Sequence, residues 1–199
     1  MEVNRPKLIA GLGNPSKKYE TTYHNAGFLF VDYLAKKYDL NWKKTKSFEY
    51  IKTSGKIIIK TSVFMNESGK AVIEATKYFS SKGGSASGGK LKPEQIIVAH
   101  DDSDIELGKY KLQFDRSSAG HKGVESVIKT LKTQKFWRLR IGIGKFISAD
   151  RNSDARRGRS SDINRRRKAG DLVLKKISTE DLKKLNGVFE KAVSEVNSY

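Results

Sequence analysis

The chain has 199 residues, enough for a single domain spanning 1–199 that buries roughly 70% of its unfolded surface. It has no cysteine, which excludes disulfides, thiolate metal sites and cysteine nucleophiles and fits a reducing compartment. Forty Lys and Arg against 22 Asp and Glu leave a formal charge of +18, an excess that attracts nucleic acid more than an anionic membrane, since no strongly amphipathic basic helix stands out.

The opening stretch MEVNRPKLIAGLG lacks a signal-peptide core, and no run of about 18 apolar residues could span a membrane. A cytoplasmic protein is expected. KLIAGLG (7–13) reads as a strand entering a glycine turn. GFLFVDYLAKKY (27–38) reads as a helix with Phe28, Val31, Leu34 and Ala35 on one face. KIIIKT (56–61) is a strand. ESGKAVIEATKYF (67–79) is a helix with Val72, Ala75 and Phe79 on its apolar side. QIIVAH (95–100) is a buried strand, and KYKLQF (109–114) and WRLRIGI (137–143) alternate as half-buried strands do. GVESVIKTL (123–131) is a helix between them. STEDLKKLNGVFEKAVSEV (178–196) is a long amphipathic helix, which Ser178 can cap with Asp181 as its capping-box partner. Strands alternating with helices argue for an α/β layered domain.

Two stretches interrupt this order. SSKGGSASGGK (80–90) reads as a flexible Gly/Ser loop. Residues 148–170 are polar and arginine-rich, with eight basic and two acidic residues between Arg151 and Lys168. That composition cannot make a packed core and predicts a mobile segment that RNA could order.

The chemistry concentrates on HDDSDIELG (100–108). Three aspartates at the end of a buried strand are costly unless something uses them. They could bind a metal, steady a histidine or cap a turn. The three histidines, His24, His100 and His121, each lie near the end of an apolar element. Loops at the carboxyl ends of strands converge in α/β sheets, so GLGNP (11–15) and HDDSD could meet there. There is no nucleophile elbow and no phosphate loop, and Ser16 breaks a dinucleotide fingerprint. The aspartates could hold Mg²⁺ through oxygen ligands. A histidine beside an aspartate needs no metal, because the carboxylate fixes its tautomer and supports the imidazolium. Water is then the natural nucleophile, and an ester suits it better than an amide.

These residues resemble the bacterial-type peptidyl-tRNA hydrolases. GLGNPSKKYETTYHNAGF (11–28), FMNESGKAV (64–72), HDDSDIELG (100–108), SAGHKGVESVI (118–128) and FWRLRIGIGK (136–145) follow in the family's order, with DLVLKKIS leading into the last helix. Coverage is most of 7–145 and 170–197. The resemblance implies a three-layer sandwich, a mixed sheet between helices, and hydrolysis of the ester joining peptide to the tRNA 3′ ribose. It makes His24 the general base and Asp101 its orienting carboxylate. Asn14 and Asn66 hold the peptide and the attacked carbonyl, Met65 lines the pocket, and Tyr19 lies against the 3′ nucleotide. Arg140 meets a phosphate of the acceptor end, and Asp102 and Asp104 are turn and strand-end residues. It implies no cofactor, no metal, no obligatory protein partner and a monomer, with peptidyl-tRNA as the binding partner.

The sequence departs from the pattern at several places. Lys122 stands where asparagine is usual and can donate to a carbonyl or phosphate but not accept. Gln113 replaces a basic neighbour of the arginine, for which Lys111 or Arg116 compensates. Tyr23 replaces arginine before the catalytic histidine, and 80–90 and 148–170 are insertions. The competing readings are a non-catalytic RNA-binding protein on the same fold, motivated by charge and Lys122, and a metal-dependent nuclease using DDSD.

Overall fold

Runs such as LIA, III and IIVA are apolar at every position, so strands built from them must be covered on both faces. The computed structural model does this with one seven-stranded sheet between two pairs of helices; it describes residues 6–81, 91–145, 170 and 172–198. Most of the stretches expected as a Gly/Ser loop and an arginine-rich segment lie outside the described residues. In chain order the elements are β1 (Leu8–Gly11), α1 (Ala26–Lys37), β2 (Lys43–Lys44), β3 (Phe48–Lys52), β4 (Ile57–Thr61), α2 (Ser68–Ser81), β5 (Ile96–Glu106), β6 (Tyr110–Phe114), α3 (Lys122–Leu131), β7 (Trp137–Gly144) and α4 (Thr179–Ser198).

The strand order is β2-β3-β4-β1-β5-β7-β6. Strands β4, β1, β5 and β7 are parallel neighbours, while β2, β3 and β6 run antiparallel at the two margins. This is the mixed α/β sandwich expected from the sequence. Ile9, Ile58, Ile97, Leu139 and Ile141 face α1 and α4, packing on Phe30, Val31, Leu185 and Phe189. Leu8, Ala10, Ile59, Ile96 and Val98 face α2 and α3, packing on Ala71, Val72, Ala75, Val124 and Val127. Strand β7 alternates but is not half-buried as expected: Leu139 and Ile141 face one side and Arg138 is buried on the other; the strand lies inside the sheet, between β5 and β6. The short strands β2 and β3 carried no apolar run. They form because Phe48 and Ile51 reach the core beside β4.

The largest difference from expectation is β5. HDDSD was read as a loop beyond the strand, but β5 continues through it. The parallel partner β7 needs those backbone groups: Asp101 pairs with Ile141, Asp102 with Gly142, and after a bulge Glu106 with Gly144. At the last helix Ser178 Oγ accepts from the Asp181 N–H at 3.2 Å, as expected of a cap. The Asp181 carboxylate, besides its side-chain hydrogen bond with Ser178, faces Tyr23 and Lys145. Among the described residues no helix is long and apolar enough to cross a membrane.

Gly27, in the first turn of α1, sets how close that helix comes to the sheet. A Cβ there would stand 2.2 Å from the Ala99 carbonyl oxygen and 2.6 Å from that of Leu12. Gly27→Ala must therefore lift the helix start off β5. We expect a loss of about 1–3 kcal/mol, the usual cost of overpacking, read as a lower urea midpoint with an unchanged slope.

Candidate active site

The two core layers end at the same place, where β5 leaves the interior. His24 lies in a single 3-10 turn, Tyr23–Asn25, just ahead of α1. His121 is the residue ahead of α3, on the opposite side of the sheet. Both imidazoles reach over the end of the sheet to one atom, Oδ1 of Asp101: His24 Nδ1 at 2.9 Å and His121 Nε2 at 2.8 Å. The two rings lie 5.1 Å apart.

The hydrogen bonds fix the tautomers. His121 Nδ1 accepts from the backbone N–H groups of Gly123 and Val124 at 3.1 and 3.2 Å, so its proton sits on Nε2 and is donated to Asp101. His24 likewise donates from Nδ1, which leaves its Nε2 as a free base aimed away from the carboxylate. Asp101 is only 2% exposed. Burial alone would raise its pKa, but the His121 and His24 rings outweigh that and hold the carboxyl far below its ordinary range. Burial pulls His24 down, yet the charge and hydrogen bond of Asp101 prevail, so the imidazole is raised above 6.5. Gly123 makes the approach of α3 possible, since a Cβ there would stand 2.4 Å from Met65 Sδ and 3.1 Å from the His121 ring.

A cleft of about 260 Å³ opens beside these groups, lined by His24, Asp101, Asp104, Ser118, His121 and Lys122 among others. Lys122, the first residue of α3, is exposed and pairs with Glu125 at 3.2 Å. Asn14 lines a second cleft of about 270 Å³ with Ser16, Lys17, Asn25 and Lys60. Asn25 clamps the Asn14 backbone, accepting its N–H at 2.8 Å and donating to its carbonyl at 3.1 Å. Asn14 Oδ1 accepts from the Met65 N–H at 2.8 Å. Its Nδ2 is thereby the end left to donate outward. Met65 is buried, Asn66 beside it in the turn Met65–Glu67 is exposed, and Tyr19 is half-buried in the turn after Asn14.

Arg140 and Lys111 face each other across β7 and β6 and line neither cleft. Arg140 donates from Nε to Asp102 Oδ2 at 2.6 Å and from Nη1 to Gln113 Oε1 at 2.7 Å. This corrects two expectations. Asp102 is the ion-pair partner of Arg140 within a strand rather than a turn residue, although its other oxygen does accept the Asp104 N–H at 3.0 Å. Gln113 holds the arginine itself; the compensating role given to Lys111 or Arg116 is not needed for that. Adjacent side chains of a strand point to opposite faces, so Asp101 meets the histidines and Asp102 meets the arginine.

In DDSD both Asp102 oxygens are engaged, one by Arg140 and one by the Asp104 N–H, and Asp101 is engaged by the histidines. Among the described residues one group has metal-ligand spacing: donor atoms of His24, Asp101 and His121 lie within 4.8 Å of one another. Its bonding does not suit a cation. His121 could ligate through Nε2 only by moving its proton to Nδ1, which would set three N–H groups against each other at the start of α3.

Asn25 is the member that sequence reasoning left out, and the signal available was its position immediately before a helix. His121, singled out among the three histidines, was given no role there; the structure places it on Asp101. His100, by contrast, is buried within β5, where burial, His121 and Arg138 hold it well below its ordinary pKa. It is a neutral core residue whose Nδ1 donates to the Asp101 carbonyl at 2.6 Å.

A carboxylate-bound histidine facing a cleft, on a mixed α/β sandwich, is an arrangement suited to hydrolysis by activated water. A model of the peptidyl-tRNA hydrolase family matches residues 8–199. The peptidyl-tRNA hydrolase of Aquifex aeolicus is 42% identical over 144 residues, 70% of this chain and 70% of the relative. That of Thermoanaerobacter sp. is 41% identical over 144 residues, 69% of this chain and 72% of the relative. The solved peptidyl-tRNA hydrolase of Acinetobacter baumannii superposes with a TM-score of 0.77 at 28% identity, covering 99% of this chain and 89% of that one. The chain belongs to the peptidyl-tRNA hydrolase family.

The raised pKa of His24 depends on Asp101. In Asp101→Asn the attraction disappears while burial remains, so His24 is expected to titrate below 6.5 instead of above it. The imidazole C–H resonances followed by NMR across pH 4–9 read this directly; a His24 midpoint that does not move would show that Asp101 does not control it.

Proposed function

We propose that this chain hydrolyses the ester between a peptide and the 3′ ribose of tRNA. The observation that carries this reading is the His24–Asp101 pair, with the free Nε2 of His24 facing a cleft, in a member of this family. Nε2 takes a proton from water as the water attacks the ester carbonyl, and Asp101 steadies the imidazolium that forms. The oxyanion receives hydrogen bonds from amide groups, for which Asn14 Nδ2 and Asn66 are the candidates. The imidazolium then returns its proton to the departing ribose oxygen. Met65 forms the wall behind Asn66, and Tyr19 lies where the terminal nucleotide enters.

Arg140, Lys111 and Lys122 are the proposed tRNA contacts. Arg140 is pre-oriented by Asp102 and Gln113, which leaves its remaining guanidinium edge for a phosphate. The substrate partner is peptidyl-tRNA, and the protein works without an obligatory protein partner, as a cytoplasmic monomer. A non-catalytic RNA-binding role on the same fold finds no support in the relatives named above, which carry the hydrolase name, and it would leave the His24–Asp101 pair without a use.

Release of tRNA from a defined peptidyl-tRNA by the purified protein tests the proposal. His24→Ala is expected to lower kcat by roughly 10²–10⁴-fold with tRNA affinity retained. Because only unprotonated His24 can act as base and its pKa is raised, kcat/KM should climb through a midpoint above 6.5 and then level off. Turnover in His24→Ala equal to the parent protein would remove the histidine from the reaction.

Lys122 supplies a separate check on substrate contact. Lys122→Asn is expected to keep activity. Lys122→Glu reverses a charge at the cleft rim, so KM should rise at low salt with kcat little changed; identical KM values in the two variants would exclude the contact.

A further inference from the structure

We infer that Tyr23 is a positioning residue for His24, acting through a junction with Asp181 and Lys145 that fastens the histidine's turn to α4 and to the end of β7. The inference rests on the reading of His24 as the base.

Among the described residues His24 has one side-chain hydrogen bond, to Asp101, and one neighbouring ring, that of His121. The three-residue turn that carries it also sets where the ring points. That turn is held from two directions. On one side Asn25 clamps the backbone of Asn14. On the other, the Tyr23 hydroxyl donates to Asp181 Oδ2. The same oxygen is 2.6 Å from Lys145 Nζ, and that ammonium lies 5.4 Å from the centre of the Tyr23 ring. Tyr23 is 2% exposed and Asp181 5%, so neither polar group can fall back on bulk water.

The pairing is selective in chemistry. A phenol can satisfy one lone pair of a buried carboxylate but cannot neutralise it; Lys145 supplies the charge that the hydroxyl lacks. Burial pushes Asp181 up, yet the bonds from Lys145, Tyr23 and Ser178 hold it below its ordinary range, and it stays ionised. The main chain follows the same path. Tyr23 N–H donates to the Lys175 carbonyl at 3.2 Å, Ile177 N–H donates to the Thr21 carbonyl at 2.8 Å, and Thr22 bridges Lys176. The strand of contacts from α4 therefore ends one residue before the base. Loss of the junction leaves the turn held by Asn25 on Asn14 and by the main-chain bonds to 175–177, with the Tyr23 side chain no longer fixed, so the turn shifts and His24 Nε2 moves relative to the water it must deprotonate.

The test measures steady-state hydrolysis of peptidyl-tRNA by the full chain. Tyr23→Phe removes only the hydroxyl and should lower kcat roughly 3–10-fold, in the range that sub-ångström misplacement costs, while KM stays within about twofold. Asp181→Asn should do the same, and the double variant should lose no more than the larger single loss, because both act through one junction. Lys145 is half-exposed and can be changed without threatening the core: Lys145→Ala should lower kcat and Lys145→Arg should restore it. His24→Ala in the same assay checks the reading beneath; activity there overturns the base, not the junction. Should His24→Ala be inactive while Tyr23→Phe and Lys145→Ala keep the parent kcat, with or without a lower Tm, the junction is structural and the inference fails. Losses that multiply in the double variant also overturn it.

Discussion

One oxygen atom organises this molecule. Oδ1 of Asp101 is buried in the middle of β5, where an unpaired carboxylate would be prohibitively costly. It takes two imidazole hydrogen bonds, one from the turn before α1 and one from the residue before α3. Those helices belong to opposite layers of the sandwich. The carboxylate thus joins the two layers. Gly27 and Gly123 are the positions where a side chain would hold the layers apart.

The electrostatics follow from the same point. Two donors to one carboxylate oxygen keep Asp101 ionised, and its charge raises the more accessible imidazole. His121 has both nitrogens committed, one to the helix N-terminus and one to Asp101. His24 has one nitrogen committed and, among the described residues, the other without a hydrogen bond. Two histidines on the same carboxylate therefore divide into a fixed strut and a usable base, and the difference is where their second nitrogen points. One residue along the strand, Asp102 turns to the other face and holds Arg140. The run of aspartates in a strongly basic protein serves two separate partners, a pair of imidazoles and the Arg140 guanidinium.

Departures from the family pattern are absorbed locally. Gln113 accepts a hydrogen bond from Arg140 where a basic residue would have met it with like charge. Tyr23 contributes a hydroxyl to Asp181, and Lys145 brings the positive charge. Ser16 adopts a φ of +141, a region that favours glycine, in the turn leading from Asn14 to Tyr19. The chain keeps that turn against its backbone preference because Asn25 fixes its start at Asn14.

The sequence by itself determined the layered α/β class, nearly every helix and parallel strand, and the pairing of His24 with Asp101 by resemblance. Those elements were legible because apolar runs and 3.6-residue periodicity are local properties, and because short motifs kept their order along the chain. The tertiary structure alone decided where β5 ends, since its extension is set by hydrogen bonds that β7 demands. It decided that β2 and β3 are strands, since two buried side chains, Phe48 and Ile51, suffice once β4 is beside them. It decided that Asp102 serves Arg140, that Asp181 serves Tyr23 and Lys145, and that His121 shares the carboxylate of His24. Each of these partnerships joins residues 20 to 158 positions apart, and no local pattern in the sequence encodes which buried charge will meet which donor. That choice is made by packing, which brings the ends of the helices and the sheet together and leaves each polar group only the partners within reach.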